Sequence, residues 1–174
     1  MSAAGEELAR VRILQYPLDV HERTTESVEG LRREFALIAI RSEECDDVPV
    51  RLQRLIDVLG ADYGDFSEAN TQLIVEAIGR GETVIDELVF ELPRHADQAC
   101  VALARMLDEA DDYCRRGDFL LSLASPPEAV AFRRWYLGEF IAQLHGGDPV
   151  PWPEADHAAL AASPALRGME TGTV

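Results

Sequence analysis

Apolar positions along the chain recur with two different periods, and the period changes wherever proline or glycine interrupts it. The segment "VRILQYP" at 11–17 has strand-like composition and a proline stop. From Leu18 to Arg41, Val28, Leu31, Phe35 and Ile38 step by three and four residues, which places them on one helical stripe. The stretch "SEECDDVP" at 42–49 breaks that helix, and Pro49 suits the first turn of a second one carrying Val50, Leu52, Leu55, Ile56 and Leu59. Ser67 and Glu68 open a third, with Leu73, Ile74, Ala77 and Ile78 on one face before Gly79 and Gly81.

In "ETVIDELVFELP" at 82–93 the apolar residues alternate, so Val84 to Leu92 bound a second strand whose partner is the 11–16 segment. A fourth helix over about 94–116 carries Ala96, Ala99, Cys100, Leu103, Met106, Leu107, Ala110, Tyr113 and Cys114 at helical steps. Ser125 and Pro126 read as the cap and first turn of the last long helix, which Gly146 and Gly147 end. The pattern thus predicts a mainly α chain: a five-helix, single-domain bundle with a small two-stranded β-ribbon pairing about 11–16 with 84–91. Residues 1–10 are expected to fray, 11–153 to form the helical domain and 154–174 to be a disordered tail. The second and third helices read as a hairpin within the bundle, and no internal repeat is present.

Composition narrows the partners. Among 174 residues, 32 acidic against 16 basic side chains leave a net charge of −16, which repels phosphate backbones and anionic lipid heads. Nucleic acid and membrane surfaces are therefore poor partners. All the basic residues are arginine, so no lysine is present to form a Schiff base or hold a phosphate loop. No apolar run is long enough to span a bilayer, and Met1 to Arg10 lacks the basic-then-apolar order of a secretory signal, so a cytoplasmic location is expected. Cys45, Cys100 and Cys114 lack metal-ligand spacing; the last two, on one helix, are separated by roughly 21 Å, too far for a disulfide. Buried free thiols are the expectation.

Catalytic signatures fail on spacing. The chain has no G-x-S-x-G elbow, no phosphate-binding glycine loop and no dinucleotide fingerprint. Only "EADH" at 154–157 has the E-x-x-H spacing of a di-iron bundle, and it falls in the expected tail. His21, His95, His145 and His157 lie near helix ends or in that tail, which suits solvated or capping roles. Asp108, Glu109, Asp111 and Asp112 lack the alternating spacing and glycine of a calcium loop, so they read as a solvated helix face. No catalytic, metal-binding or cofactor-binding residue is assigned, and no cofactor is expected.

The stretch "AVAFRRWYLGEF" at 129–140 remains. On a helix, Val130, Leu137, Ile141 and Leu144 form one stripe flanked by Arg133 and Arg134. Trp135 falls with Ala131, Gly138 and Ala142, while Phe132 and Tyr136 make a third face. Such a helix is either central in the bundle or packed against an outside partner. Trp135 and Arg133 are assigned to the fold: the indole fills the groove left by small residues, and the arginines find carboxylates such as Glu34. Arg134, Tyr136, Phe132 and the proline-flanked Trp152 are the candidate partner-binding residues, because Trp, Tyr and Arg dominate interaction hot spots.

The order "VRILQYPLDV", "LRREFALIAI", "VPVRLQRLIDVL" and "PPEAVAFRRWYLGEFIAQL…PWP" resembles a family of small helical proteins from GC-rich bacteria. These are encoded beside anti-sigma-factor-type ATP-binding proteins and serine/threonine phosphatases. The resemblance covers most of 11–153 and implies a regulatory, partner-binding protein in sigma-factor or partner-switching control. It identifies no catalytic residue. Two classes follow: a non-enzymatic adaptor for a protein partner such as an anti-sigma-factor-type regulator, or a small-molecule sensor or enzyme with a pocket between helices. Homo-oligomerisation through the aromatic face is compatible with both.

Overall fold

Two ten-residue strands, β1 (Leu8–Pro17) and β2 (Val84–Pro93), pair antiparallel in a two-stranded sheet. The computed structural model describes residues 8–41, 68–116 and 125–153. Four helices accompany the ribbon: α1 (Leu18–Arg41), α2 (68–79), α3 (Ala96–Arg116) and α4 (Pro127–Leu144).

Alternation decides the ribbon's faces. Val11 opposite Phe90 and Ile13 opposite Leu88 are buried on one side, while Arg10 opposite Glu91 lies on the other. There the Arg12 guanidinium reaches Glu87 diagonally at 2.5 Å. Near its end β1 departs from the alternation, because Gln15 adopts φ 53°, the left-handed region that L side chains avoid. The Gln15 side chain stays outside, donating to Asp86 Oδ1 at 3.1 Å, and Tyr16 turns into the core. Pro17 closes the strand and α1 follows without a loop, its Leu18 N–H donating to the Thr83 carbonyl just before β2 at 2.9 Å.

The chain is therefore not the five-helix bundle that periodicity predicts. The described residues form a mixed α/β arrangement of four helices and an antiparallel pair, and the helix expected from Pro49 lies outside them. The physical reason is that the ribbon is a wall of the core. Val11, Ile13, Tyr16, Leu88, Phe90 and Leu92 join one apolar cluster with Phe132, Trp135, Phe140 and Leu144 of α4. Pairing also starts earlier than the expected residue 11, since Leu8, Ala9 and Arg10 are in register with Pro93, Leu92 and Glu91. The expected tail, 154–174, and the side chains of Leu31, Glu34, Phe35 and Ile38 lie outside the described set.

α4 occupies the centre, touching β1, α1 and α3, which accounts for a helix apolar almost all round. Its seam with α3 is a second cluster of Ala104, Leu107, Ala110, Cys114 and Leu137. Pro127 supplies the first turn, with Pro126 rather than Ser125 at the cap position and no side-chain cap bond. At the other end Gly146 takes φ 89°; its N–H bonds the Gln143 carbonyl at 3.0 Å, and the Gly147 N–H bonds that of Ala142 at 2.8 Å. This is the paired closure of a Schellman motif. A Cβ on Gly147 would stand 2.9 Å from the Ala142 carbonyl oxygen, so only glycine fits that approach. No described helix is long and apolar enough to cross a membrane.

Candidate functional site

α4 organises three adjoining assemblies. The first is aromatic. Tyr16, Phe132 and Tyr136 meet with ring centroids 5.5 to 5.9 Å apart, and Phe140 joins through Tyr136 and Phe90 at 5.0 Å each. The Tyr16 hydroxyl lies 2.7 Å from His21 Nδ1, and the His21 ring rests against both Tyr16 and Phe132. Burial lowers the His21 pKa, with the neighbouring Glu22 carboxylate opposing, and raises that of Tyr16. A neutral imidazole accepting the phenolic proton satisfies both groups. His21, read from the sequence as a solvated or capping residue, is instead part of this cluster because β1 delivers Tyr16 directly against the first turn of α1.

The second assembly is ionic. Arg133 Nη2 contacts Asp108 Oδ1 at 2.7 Å and Asp111 Oδ2 at 2.5 Å, while Arg134 Nη2 takes the other Asp108 oxygen at 3.2 Å. Asp111 is fully buried, and its Oδ1 accepts the Ser125 N–H at 3.1 Å, tying the start of α4 to α3. These carboxylates, rather than a solvated helix face, are the arginines' partners. A sequence signal existed for them: Asp111 stands four residues after Leu107 and three before Cys114, inside the apolar stripe of α3.

The third assembly is a strap. After its closing glycines the chain turns back, and the Val150 N–H donates to Glu139 Oε2 at 2.9 Å. The Trp135 indole N–H donates to the Val150 carbonyl at 3.0 Å, and the Trp152 N–H reaches the Leu14 carbonyl of β1 at 3.2 Å. The Trp152 ring packs edge-on against Trp135 at 5.2 Å and Phe132 at 5.7 Å.

These placements revise the expected recognition surface. Phe132 and Trp152 are buried at 4% and 8% exposure, Tyr136 is mostly enclosed, and Arg134 is partly covered and paired. They face inward because the ribbon and the strap cover the aromatic sides of α4. Trp135 is buried as well, but its neighbours are Phe132, Tyr136 and Trp152, and the space beside Gly138 is open. Glu139 and Gln143, not singled out by the sequence reading, anchor strap and strand: Gln143 Nε2 donates to Glu139 Oε2 and to the Arg12 carbonyl, and its Oε1 accepts the Arg12 N–H. Cys114 is buried, and Cys100 is half-buried with its thiol pushed up to about 11 by desolvation, which keeps it protonated. The chain matches no family model, no curated protein and no solved structure.

Proposed function

We propose that this protein is a regulatory adaptor that works by binding another protein, in the sigma-factor or partner-switching setting implied by its sequence resemblance. The observation that carries this reading is where the surplus charge lies on α1. Asp19, Glu22, Glu26 and Glu29 are all exposed and are spaced three, four and three residues apart, which sets them in one stripe along the outer face. Arg23 balances part of it, bonding Asp19 at 3.1 Å and crossing to Glu128 of α4 at 3.0 Å, so the stripe is held on a helix anchored to the core.

A row of carboxylates on a chain of net charge −16 steers a basic protein surface toward it and sets the association rate more than the final affinity. The aromatic and arginine side chains of α4 are engaged within the fold. The test uses the ATP-binding regulator that the resemblance places beside this chain. Binding is measured by titration calorimetry and stopped flow at low and high salt, for the native chain and for a Glu22→Gln, Glu26→Gln, Glu29→Gln variant. Association that slows with salt and with the triple substitution supports the reading. Absence of binding, or binding indifferent to both changes, overturns it.

A further inference from the structure

His21 stands where the core meets the charged outer face of α1. Its ring rests against Tyr16 and Phe132, with centroids 5.5 and 6.5 Å away, and its Nδ1 lies 2.7 Å from the Tyr16 hydroxyl. The two residues straddle the point where β1 passes into α1 without a loop, so their bond spans that junction. Their surroundings differ. Tyr16 is buried at 3% exposure beside the Phe132 and Tyr136 rings, whereas His21 is half-buried and is followed by the exposed Glu22. From β1 the titratable group facing the imidazole is the Tyr16 phenol; from α4 it meets the uncharged Phe132 ring, with the Tyr136 phenol behind Tyr16. The end of β2 nearest α1, Thr83 and Val84, carries no charge. On α1 itself the charge that bears on His21 is that of Glu22, while Asp19 is paired with Arg23, which also reaches Glu128 of α4.

Only a neutral ring can accept a hydrogen bond at Nδ1. Once His21 is protonated both ring nitrogens donate, so the bond can at best reverse, and the phenolic hydrogen then points among aromatic rings, since the Tyr16 hydroxyl has no other partner among the described residues. A buried donor without an acceptor is costly. The imidazolium would also sit in a desolvated seat, and burial accordingly lowers the His21 pKa, with Glu22 opposing. Water is close to His21 and out of reach of Tyr16, so it is the imidazole that moves. We propose that the Tyr16–His21 bond is a proton-operated clasp across the β1–α1 junction: neutral His21 closes it, and protonated His21 turns out to solvent beside Glu22 while the rest of the fold stays in place. Other links keep the junction folded, because the Leu18 N–H remains on the Thr83 carbonyl and β1 remains paired with β2. Opening the clasp places a cation in the row of Asp19, Glu22, Glu26 and Glu29 and weakens the field of that face; this consequence, unlike the clasp itself, rests on the docking role proposed for the row.

The whole chain, isotope-labelled, is titrated by nuclear magnetic resonance from about pH 8 to about pH 5, a range in which imidazole titrates and most carboxylates stay ionised. The expected result is one midpoint shared by the His21 ring, the Tyr16 and Phe132 rings and the Glu22 carboxylate. Through-space contacts between His21 and Phe132 are expected to vanish at the acid end, with the Trp135 and Trp152 indole resonances unmoved. His21→Gln keeps an acceptor for Tyr16 and cannot titrate, so in that variant the Tyr16 and Phe132 rings should hold their positions over the whole range. In Tyr16→Phe, which lacks the hydroxyl, the His21 midpoint should rise toward the ordinary histidine value; this arm decides the matter if His21→Gln does not fold. A His21–Phe132 contact that persists in the protonated protein, ring shifts that are equal in His21→Gln, or a His21 midpoint unmoved by Tyr16→Phe overturns the proposal. So does collapse of the indole resonances at the same midpoint, which would make the event global unfolding. Because no partner enters the titration, an acidic stripe that binds no regulator leaves its result standing.

Discussion

Asp111 and Arg133 are 2.5 Å apart, Oδ2 to Nη2, where the Asp111 side chain has no solvent exposure and that of Arg133 only 7%. Removing Asp111 leaves Arg133 the Asp108 carboxylate at 2.7 Å but strips the Ser125 N–H of its acceptor, whereas replacing both Asp111 and Arg133 with apolar groups of similar volume often costs little. Asp111→Ala is expected to destabilise by about 1 to 3 kcal/mol in urea unfolding, the cost of buried polar groups left without a partner. Asp111→Leu combined with Arg133→Met is expected to recover most of that loss. A double variant no more stable than Asp111→Ala would mean that the charges are needed for the α3–α4 packing itself.

Gln15 holds φ 53° near the end of β1. A non-glycine residue in that region costs roughly 1 to 2 kcal/mol, partly offset for glycine by the greater freedom of its unfolded chain. Gln15→Gly is therefore expected to leave the fold unchanged and raise stability by up to about 1 kcal/mol, less the weak bond to Asp86. Gln15→Val, with a branched Cβ, should lower the thermal midpoint.

The pH dependence at His21 has a definite sign. Its folded pKa lies below the ordinary value, chiefly through desolvation, so the folded protein binds this proton less readily than the unfolded chain does. Stability from this group is complete above about pH 6.5 and is lost as pH falls from there through the folded value. The thermal midpoint of the native chain should drop more steeply on acidification than that of His21→Gln, which keeps an acceptor for Tyr16 but cannot titrate. Parallel profiles would show that His21 stays uncoupled from folding.

Trp135 is buried among aromatic rings and donates its indole N–H to the strap. Trp135→Ala should cost about 3 to 5 kcal/mol, as for other large aromatics removed from a core. Near-ultraviolet circular dichroism should lose its aromatic signal at the same time, since Trp152 and Phe132 would lose a neighbouring ring.

Much of the fold was legible because its long elements obey one period each. Leu18–Arg41 appears as a helix over its whole predicted length, and the alternation of Leu88, Phe90 and Leu92 locates β2. What the pattern hides is a change of direction within an element. Gln15 reverses the expected facing of Tyr16 by a backbone rotation that no side-chain period records. Asp111 reads as surface because its charge outweighs its position in an apolar stripe, yet Arg133 on a distant part of the chain supplies the compensation. The aromatic residues of α4 could be seen to need a partner. That the ribbon and the chain's own strap meet them depends on tertiary folding that local spacing does not encode.

The amide of Gln143, bonded to both the N–H and the carbonyl of Arg12, stands where the backbone of a neighbouring strand would stand. On the far edge Asn70 of α2 does part of the same for the Val89 carbonyl at 2.7 Å. A two-stranded ribbon with bare edges is a template for cross-β growth, since each edge offers an unpaired row to the next molecule. Here a chain seeking to extend the sheet must first displace a side chain that satisfies the row from within. Gln143→Leu should thus leave a folded protein that forms fibrils sooner on agitation, its β1 edge open to aggregation.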